Sequence, residues 1–222
     1  SNARNMAARF QGCTGTDDIS DIINDPEIKA VFLSLPPRLH FDTLRELLLA
    51  SRHVFVEKPL CYSVKDLQEL ISLQQKSICV PGLQKRFCRI NQLLKKKKLS
   101  DTTSYQYRYL CGPYPEGDPV IELFIHPIDN VIQLFGNAVI KNILKVQKHG
   151  NLTIFIMLGH VSGVAGCIEL STDYSWSSPV DYLEINRQNE IIKASDPYHL
   201  TGLSTPKAVL GLPVEKVIKQ PA

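Results

Sequence analysis

Three stretches of this chain carry side chains whose types and spacing could do chemistry. The first is Glu57-Lys58-Pro59, which follows the β-branched and aromatic run Val54–Val56. The second is Leu35-Pro36-Pro37 with His40 three residues on, after a similar run, Val31–Leu33. The third is His126, with Asp129 three residues after it and Glu122 four residues before it. An imidazole titrates near neutral pH and can take or give a proton during a reaction. An ammonium such as that of Lys58 can stabilise negative charge as it develops. On one continuous helix, residues 122 and 126 would share a face. Pro127, however, suits a first helical turn. A helix is therefore expected to begin near His126, with Glu122 on the turn before it.

The elements that position these groups come from periodicity. Val31–Leu33 and Val54–Val56 read as parallel strands buried on both faces. Between them, Phe41–Ala50 places Leu44, Leu47, Leu48 and Ala50 at helical spacing. A strand–helix–strand unit of this length is a right-handed crossover, and ligands of open parallel sheets sit at the carboxyl ends of the strands. Leu35-Pro36-Pro37, His40 and Glu57-Lys58-Pro59 should gather there. Before this unit, Asp17–Asn24 reads as a short acid-capped helix stopped near Pro26. After it, Ser63 and Asp66 form a variant capping box opening a helix to about Gln74, with Leu67, Leu70, Ile71 and Leu73 inward. Ile78–Val80 reads as a third strand, and Phe87–Lys97 as a helix. The lysines Lys95 to Lys98 suit the negative end of its dipole better than a phosphate site.

From Thr102 the pattern changes. Ser104–Tyr109 alternates as a half-buried strand, so Tyr105, Tyr107 and Tyr109 read as a packed sheet face. Cys111–Asp118 is a loop, and Ile121–Leu134 is apolar and helical. Strands are expected at 139–146, 153–157, 166–171, 180–185 and 190–194, close together with tight turns. The fold class is therefore α/β followed by α+β: a parallel sheet, then an open-faced, mostly antiparallel one. The boundary is expected near residue 100, giving domains 1–100 and 101–222, with Ser1-Asn2-Ala3 reading as a tag scar.

Bulk composition mainly excludes. With 222 residues and 44% apolar content the chain can bury a sizeable core. A net charge of +3 from 25 basic and 22 acidic side chains is mild and argues against a dedicated nucleic-acid surface. No apolar run approaches the roughly 18–20 residues that span a bilayer, so no membrane partner is expected. The six cysteines (Cys13, Cys61, Cys79, Cys88, Cys111, Cys167) form no C-x-x-C, so they read as reduced thiols of a cytoplasmic protein with no metal site.

In their order, Pro36-Pro37-x-x-His40, Glu57-Lys58-Pro59, Lys85-Arg86-Phe87 and His126-x-x-Asp129 ahead of Leu134-Phe135-Gly136 resemble the Gfo/Idh/MocA-like oxidoreductases. The likeness runs from about residue 6 to residue 195. It implies a Rossmann-type nucleotide-binding domain, incomplete here, joined to a substrate and oligomerisation domain. It also implies hydride transfer between NAD or NADP and a sugar, cyclitol or related polyol derivative. Lys58 and His126 would stand at the reacting centre, with Glu122 or Asp129 orienting the imidazole. Ser34, Leu35, Pro36, His40, Glu57 and Lys58 would line the cofactor, and Pro59 would follow a cis bond. Glu57 is equally a strand-end charge and His40 equally a helix cap. Arg86 and Asp129 would meet substrate, although Arg86 could instead pair with a carboxylate. Trp176 suits a sugar or a subunit interface. A homo-oligomer formed through the open sheet completes the expectation.

Two departures matter. The family's G-x-G-x-x-G turn, whose amides and helix dipole hold a pyrophosphate, is absent from this sequence. The expectation is that a preceding segment of ~45 residues, about one βαβ unit, is missing from the chain in hand. The alternative is a non-catalytic relative that serves as a binding or assembly module. The second departure is Glu122, where the family usually has Asp.

Overall fold

The computed structural model describes residues 2–221 apart from 75, 98, 196–198, 205–207, 210–211 and 214–215, with side chains described up to residue 202. Lys98, the last residue of the lysine run, therefore lies outside the described residues. The chain divides into two compact units, Ser1–Gly82 and Leu83–Ala222.

In the first unit, α1 (Asn2–Ala7) and α2 (Ile19–Asn24) precede β1 (Ala30–Leu33), α3 (His40–Leu49), β2 (His53–Val56), α4 (Val64–Leu73) and β3 (Cys79–Pro81). The three strands form one parallel sheet in the order β1-β2-β3. Leu33, Val54 and Val56 meet Leu44, Leu47, Leu48 and Leu70 in one apolar cluster. Caps hold the helix starts: Asp18 accepts from the Ser20 amide at 2.8 Å, and Ser63 Oγ from the Asp66 amide at 3.1 Å. The Arg52 guanidinium ties the end of α2 and the segment after it to α3's exit by donating to the Ile23 and Ile28 carbonyls at 2.5 and 2.6 Å. One expectation fails on α4. Leu70 is buried, but Leu67 is 39% and Ile71 62% exposed. Four residues apart, these two form a neighbouring row that no described residue of this unit covers. The sheet's second face is likewise open, with Phe32 82% exposed beside Phe55 at 5.5 Å.

The second unit begins earlier than the expected boundary near residue 100. Helix α5 (Arg89–Lys96) buries Ile90 and Leu94 in the same core as Tyr105, Val131 and Leu183, so packing assigns it to the second unit. Then come β4 (Thr102–Leu110), α6 (Pro119–Glu122), α7 (Ile125–Phe135), β5 (Ala138–Lys148), β6 (Asn151–His160), β7 (Ala165–Ser171), β8 (Val180–Arg187) and β9 (Glu190–Ser195). After these, β10 (His199–Ser204), β11 (Ala208–Val209), β12 (Leu212–Pro213) and β13 (Lys216–Pro221) were not foreseen. Among the described residues, eight strands make one sheet in the order β13-β10-β9-β8-β4-β7-β6-β5, while β11 pairs with β12. All pairings in the large sheet are antiparallel except β4 with β7. The apolar stretch 121–134 breaks before α7 as Pro127 implied, with Pro127 in the first turn of α7, where its missing N–H costs nothing, and Glu122 in the short α6 ahead of it.

Beneath α7 the sheet is shaped by one aromatic ring. Tyr105, 1% exposed, stacks on Phe135 with centroids 4.5 Å apart. Its register partner on β7 is Gly166, and a Cβ there would lie 2.0 Å from the ring. The glycine leaves the space the ring occupies. Gly166→Ala is therefore expected to lower the unfolding free energy by about 1–3 kcal/mol, the cost of overpacking a filled core. Urea denaturation of the two proteins side by side measures it.

Candidate functional site

At the carboxyl ends of β1 and β2, the first unit brings together the residues expected there. Ser34, Leu35 and Pro36 are exposed as they leave β1. The β2 ladder continues one residue further, the Glu57 amide donating to the Leu33 carbonyl at 3.0 Å. The Lys58–Pro59 peptide is cis, as the sharp turn after Glu57 implied. Lys58 and Glu57 are both half-buried, and the Glu57 carboxylate lies over Gly82, where a Cβ would sit 3.0 Å from its oxygen. His40 departs from the expected cofactor contact. It is 0% exposed, and both ring nitrogens face carbonyls, Nδ1 that of Pro59 at 2.6 Å and Nε2 that of Leu35 at 2.8 Å. A ring so enclosed offers a ligand no surface.

In the second unit, His126 is 7% exposed in the first turn of α7, and Glu122 is 8% exposed in α6. The Glu122 carboxylate accepts from the Tyr114 hydroxyl at 2.8 Å and from the Asp118 amide at 3.3 Å. Asp118 in turn caps α6 by accepting from the Val120 amide at 2.8 Å. Gly117 makes this possible, since a Cβ there would fall 2.3 Å from the carboxylate. Trp176 holds the same loop from its other end: its indole N–H donates to the Pro113 carbonyl at 2.9 Å, and its ring covers Gly112. The 111–118 loop is thus fastened at both ends, to Trp176 and to Glu122.

The polar residue pair assigned to substrate is engaged internally. Arg86 donates twice to Asp129, at 2.9 and 2.5 Å, and that carboxylate raises the guanidinium pKa further above its ordinary value. Sequence reasoning missed the network next to it. Lys85 pairs with Asp181, which also accepts from the Tyr107 hydroxyl at 2.8 Å. Asn91 donates to the Lys85 carbonyl at 2.5 Å and to Asn130 at 2.6 Å, and Asn130 reaches Tyr107 at 3.4 Å. Lys85 was visible only as part of a motif, and nothing marked Asn91, Asn130 or Asp181. Lys97, from the lysine run, pairs with Glu190 at 2.8 Å. Among the described residues no group of three His, Cys, Asp or Glu gathers for a metal, and no helix is long and apolar enough to cross a membrane.

With this geometry in hand, comparison with known proteins gives a consistent result. Residues 1–83 match the sequence profile of an oxidoreductase family with an NAD-binding Rossmann fold. Among curated relatives, the uncharacterised oxidoreductase YhhX of Escherichia coli (strain K12) is 27% identical over 135 residues, covering 54% of this chain and 39% of YhhX. The scyllo-inositol 2-dehydrogenase (NADP(+)) IolW of Bacillus subtilis (strain 168) is 24% identical over 160 residues, covering 64% of this chain and 45% of IolW. The chain thus spans less than half the length of these relatives. Among solved structures, a levoglucosan dehydrogenase complex with NADH and levoglucosan superposes with TM-score 0.80 at 16% identity, covering 99% of this chain and 68% of that one. The resemblance to Gfo/Idh/MocA-like oxidoreductases read from the motifs is therefore shown, and the two-part fold is theirs.

The buried phenols give this unit a pH signature. Burial pushes the Tyr105 and Tyr107 hydroxyls above their ordinary value of 10.0, and the Asp181 carboxylate pushes Tyr107 the same way. Above pH 10 the unfolded chain releases protons that the folded chain keeps, so stability falls as pH rises. Tyr107→Phe removes one such proton and should flatten that fall by about 1.4 kcal/mol in total between about pH 9 and pH 11. Urea unfolding between about pH 9 and pH 11 tests this, against the ordinary phenol pKa.

Proposed function

We propose that this chain belongs to an NAD(P)-dependent oxidoreductase that moves hydride between a nicotinamide and an alcohol carbon of a sugar, cyclitol or related polyol derivative. The observation that carries the reading is the oxidoreductase-family match over residues 1–83, in which Glu57-Lys58-Pro59 stands at the carboxyl end of β2. Ser34, Leu35 and Pro36 supply exposed backbone and apolar surface at the adjacent strand end, which suits a planar cofactor ring. Relatives named as an inositol and a levoglucosan dehydrogenase support the substrate class. The nicotinamide, when bound, accepts or returns the hydride. Lys58 Nζ stabilises the oxygen as its proton leaves, the His126 imidazole takes that proton, and Glu122 steadies the turn that presents His126. The alcohol carbon would be left as a carbonyl, with its hydroxyl proton held on the His126 imidazole. Arg86 and Asp129 act on substrate as a pair, and the cysteines, all free thiols, suit a reducing, cytoplasmic setting.

A second reading, a non-catalytic binding or assembly module, draws on the absence of a glycine-rich turn from this sequence. Fluorescence titration of the protein as encoded by its gene with NADH and NADPH separates the two, and absence of binding would leave only the second. If binding is seen, His126→Ala should lower turnover by about 10²–10⁴-fold and Lys58→Ala by about 10²–10³-fold. Both variants should keep the wild-type circular dichroism spectrum.

Oligomer formation through the sheet's open face belongs to the same proposal. Leu144 (59% exposed) on β5 lies opposite Phe155 (36%) on β6, with Met157 (52%) nearby. Contiguous apolar surface of this kind favours a partner copy. Leu144→Glu combined with Phe155→Glu should sediment as a monomer where the wild type sediments as an oligomer.

A further inference from the structure

His40 is the first residue of α3, and its ring points back beneath the two loops that leave the parallel sheet. Leu35, whose carbonyl meets Nε2, belongs to the loop leaving β1. Pro59, whose carbonyl meets Nδ1, belongs to the loop leaving β2 and follows Lys58 directly. A carbonyl can only accept, so each contact asks the ring for an N–H. A neutral imidazole carries one N–H and a protonated imidazole two, so at least one of these bonds is donated in every protonation state. The site is wholly closed to solvent, and water cannot replace a lost bond there without rearrangement.

We propose that His40 is a positioning residue that fastens the β1 exit loop to the β2 exit loop and thereby fixes the backbone carrying Lys58. It touches no substrate or cofactor. Its effect on catalysis rests on the oxidoreductase reading; its effect on the loops does not. The chemistry of the ring suits the task. Imidazole is rigid, presents two nitrogens about 2 Å apart on opposite edges of one plane, and can span two backbone segments in a way a single-headed hydroxyl cannot.

Native-state hydrogen exchange on uniformly labelled wild type, His40→Phe and His40→Gln tests this. The phenyl ring fills the space without a hydrogen bond, so the amides of Lys58, Leu60 and Cys61 should exchange at least about tenfold faster. The amides of Leu47 in α3 and Val54 in β2 should change by less than about twofold. His40→Gln, which keeps one donor group, should show the same local pattern at smaller amplitude and carries the test if His40→Phe does not fold. Wild-type exchange in the loops, or an equal rise across the whole unit, would overturn the proposal. In the gene-encoded protein, turnover in His40→Gln should fall about tenfold while the KM for nucleotide changes less than about threefold. Wild-type turnover in that variant would also refute the positioning role. If the wild type itself has no turnover, the oxidoreductase reading fails, and the exchange pattern still decides the fate of the clamp.

Discussion

Asn130 is 5% exposed on a helix whose neighbours Val131 and Phe135 are packed into an apolar core, and the second unit depends on how that amide is satisfied. A buried amide without partners would cost more than the helix gains from several of its apolar contacts. Here its oxygen accepts from Asn91 and its nitrogen reaches the Tyr107 hydroxyl, which Asp181 holds from the sheet. Helix α5, helix α7 and strands β4 and β8 are thereby joined through a polar lattice that admits one arrangement. Apolar packing alone would hold α7 against the sheet but leave its rotation and slide less defined. His126 sits at the start of this helix and Gly136 at its end. There the His160 ring donates from Nδ1 to the Gly136 carbonyl at 2.7 Å, and its Nε2 shares a hydrogen bond with the Tyr105 hydroxyl at 2.9 Å. Gly136 takes φ +86 and ψ −174, a conformation open essentially to glycine alone.

The first unit solves a different problem. Parallel strands leave the chain's polar exits at one edge, and those exits must be ordered without a core to hold them. Order comes from short covalent and hydrogen-bonded restraints: the Glu57 amide on the Leu33 carbonyl, the Gly82 amide on the Val56 carbonyl at 2.8 Å, and the His40 ring between the two loops. These restraints use backbone groups at the binding edge and leave the Lys58 side chain half-exposed. The backbone that carries Lys58 is thus held at the residues on either side of it.

Much of this was legible in the sequence, for reasons that differ by element. The strand–helix–strand unit stood out because β-branched runs and a helical stripe are local patterns, and Ser63 marked a helix start because capping is settled within four residues. The break before α7 was readable from Pro127, whose ring chemistry restricts it to a first turn. What escaped was tertiary. Periodicity located an apolar stripe on α4 but could not say that only the Leu70 row is covered. The composition shift at Thr102 marks the start of β4, whereas α5 joins the second unit because Ile90 and Leu94 find their partners there. His40 looked equally suited to a ligand or a cap, since only the fold reveals that two carbonyls enclose it.

Glu122 shows how a departure from a family pattern can be a local structural solution. The resemblance would place an aspartate here, whose carboxylate stays close to its own helix turn. The extra methylene lets the Glu122 carboxylate reach back to the Asp118 amide and the Tyr114 hydroxyl, closing the 111–118 loop onto α6. Gly117 is the necessary counterpart, because any side chain there would occupy the carboxylate's position. Asp118 completes the device by capping α6 one residue later, so both ends of this four-residue helix are tied to the loop before it. A helix so short has little stability of its own. Its carboxylate and its cap supply what its length cannot, and the turn leading into His126 is fixed by side-chain bonds instead of helix propensity. The longer acidic arm of Glu122 and the bare backbone of Gly117 thus work as one device, because a side chain at 117 would displace the carboxylate that fastens the 111–118 loop.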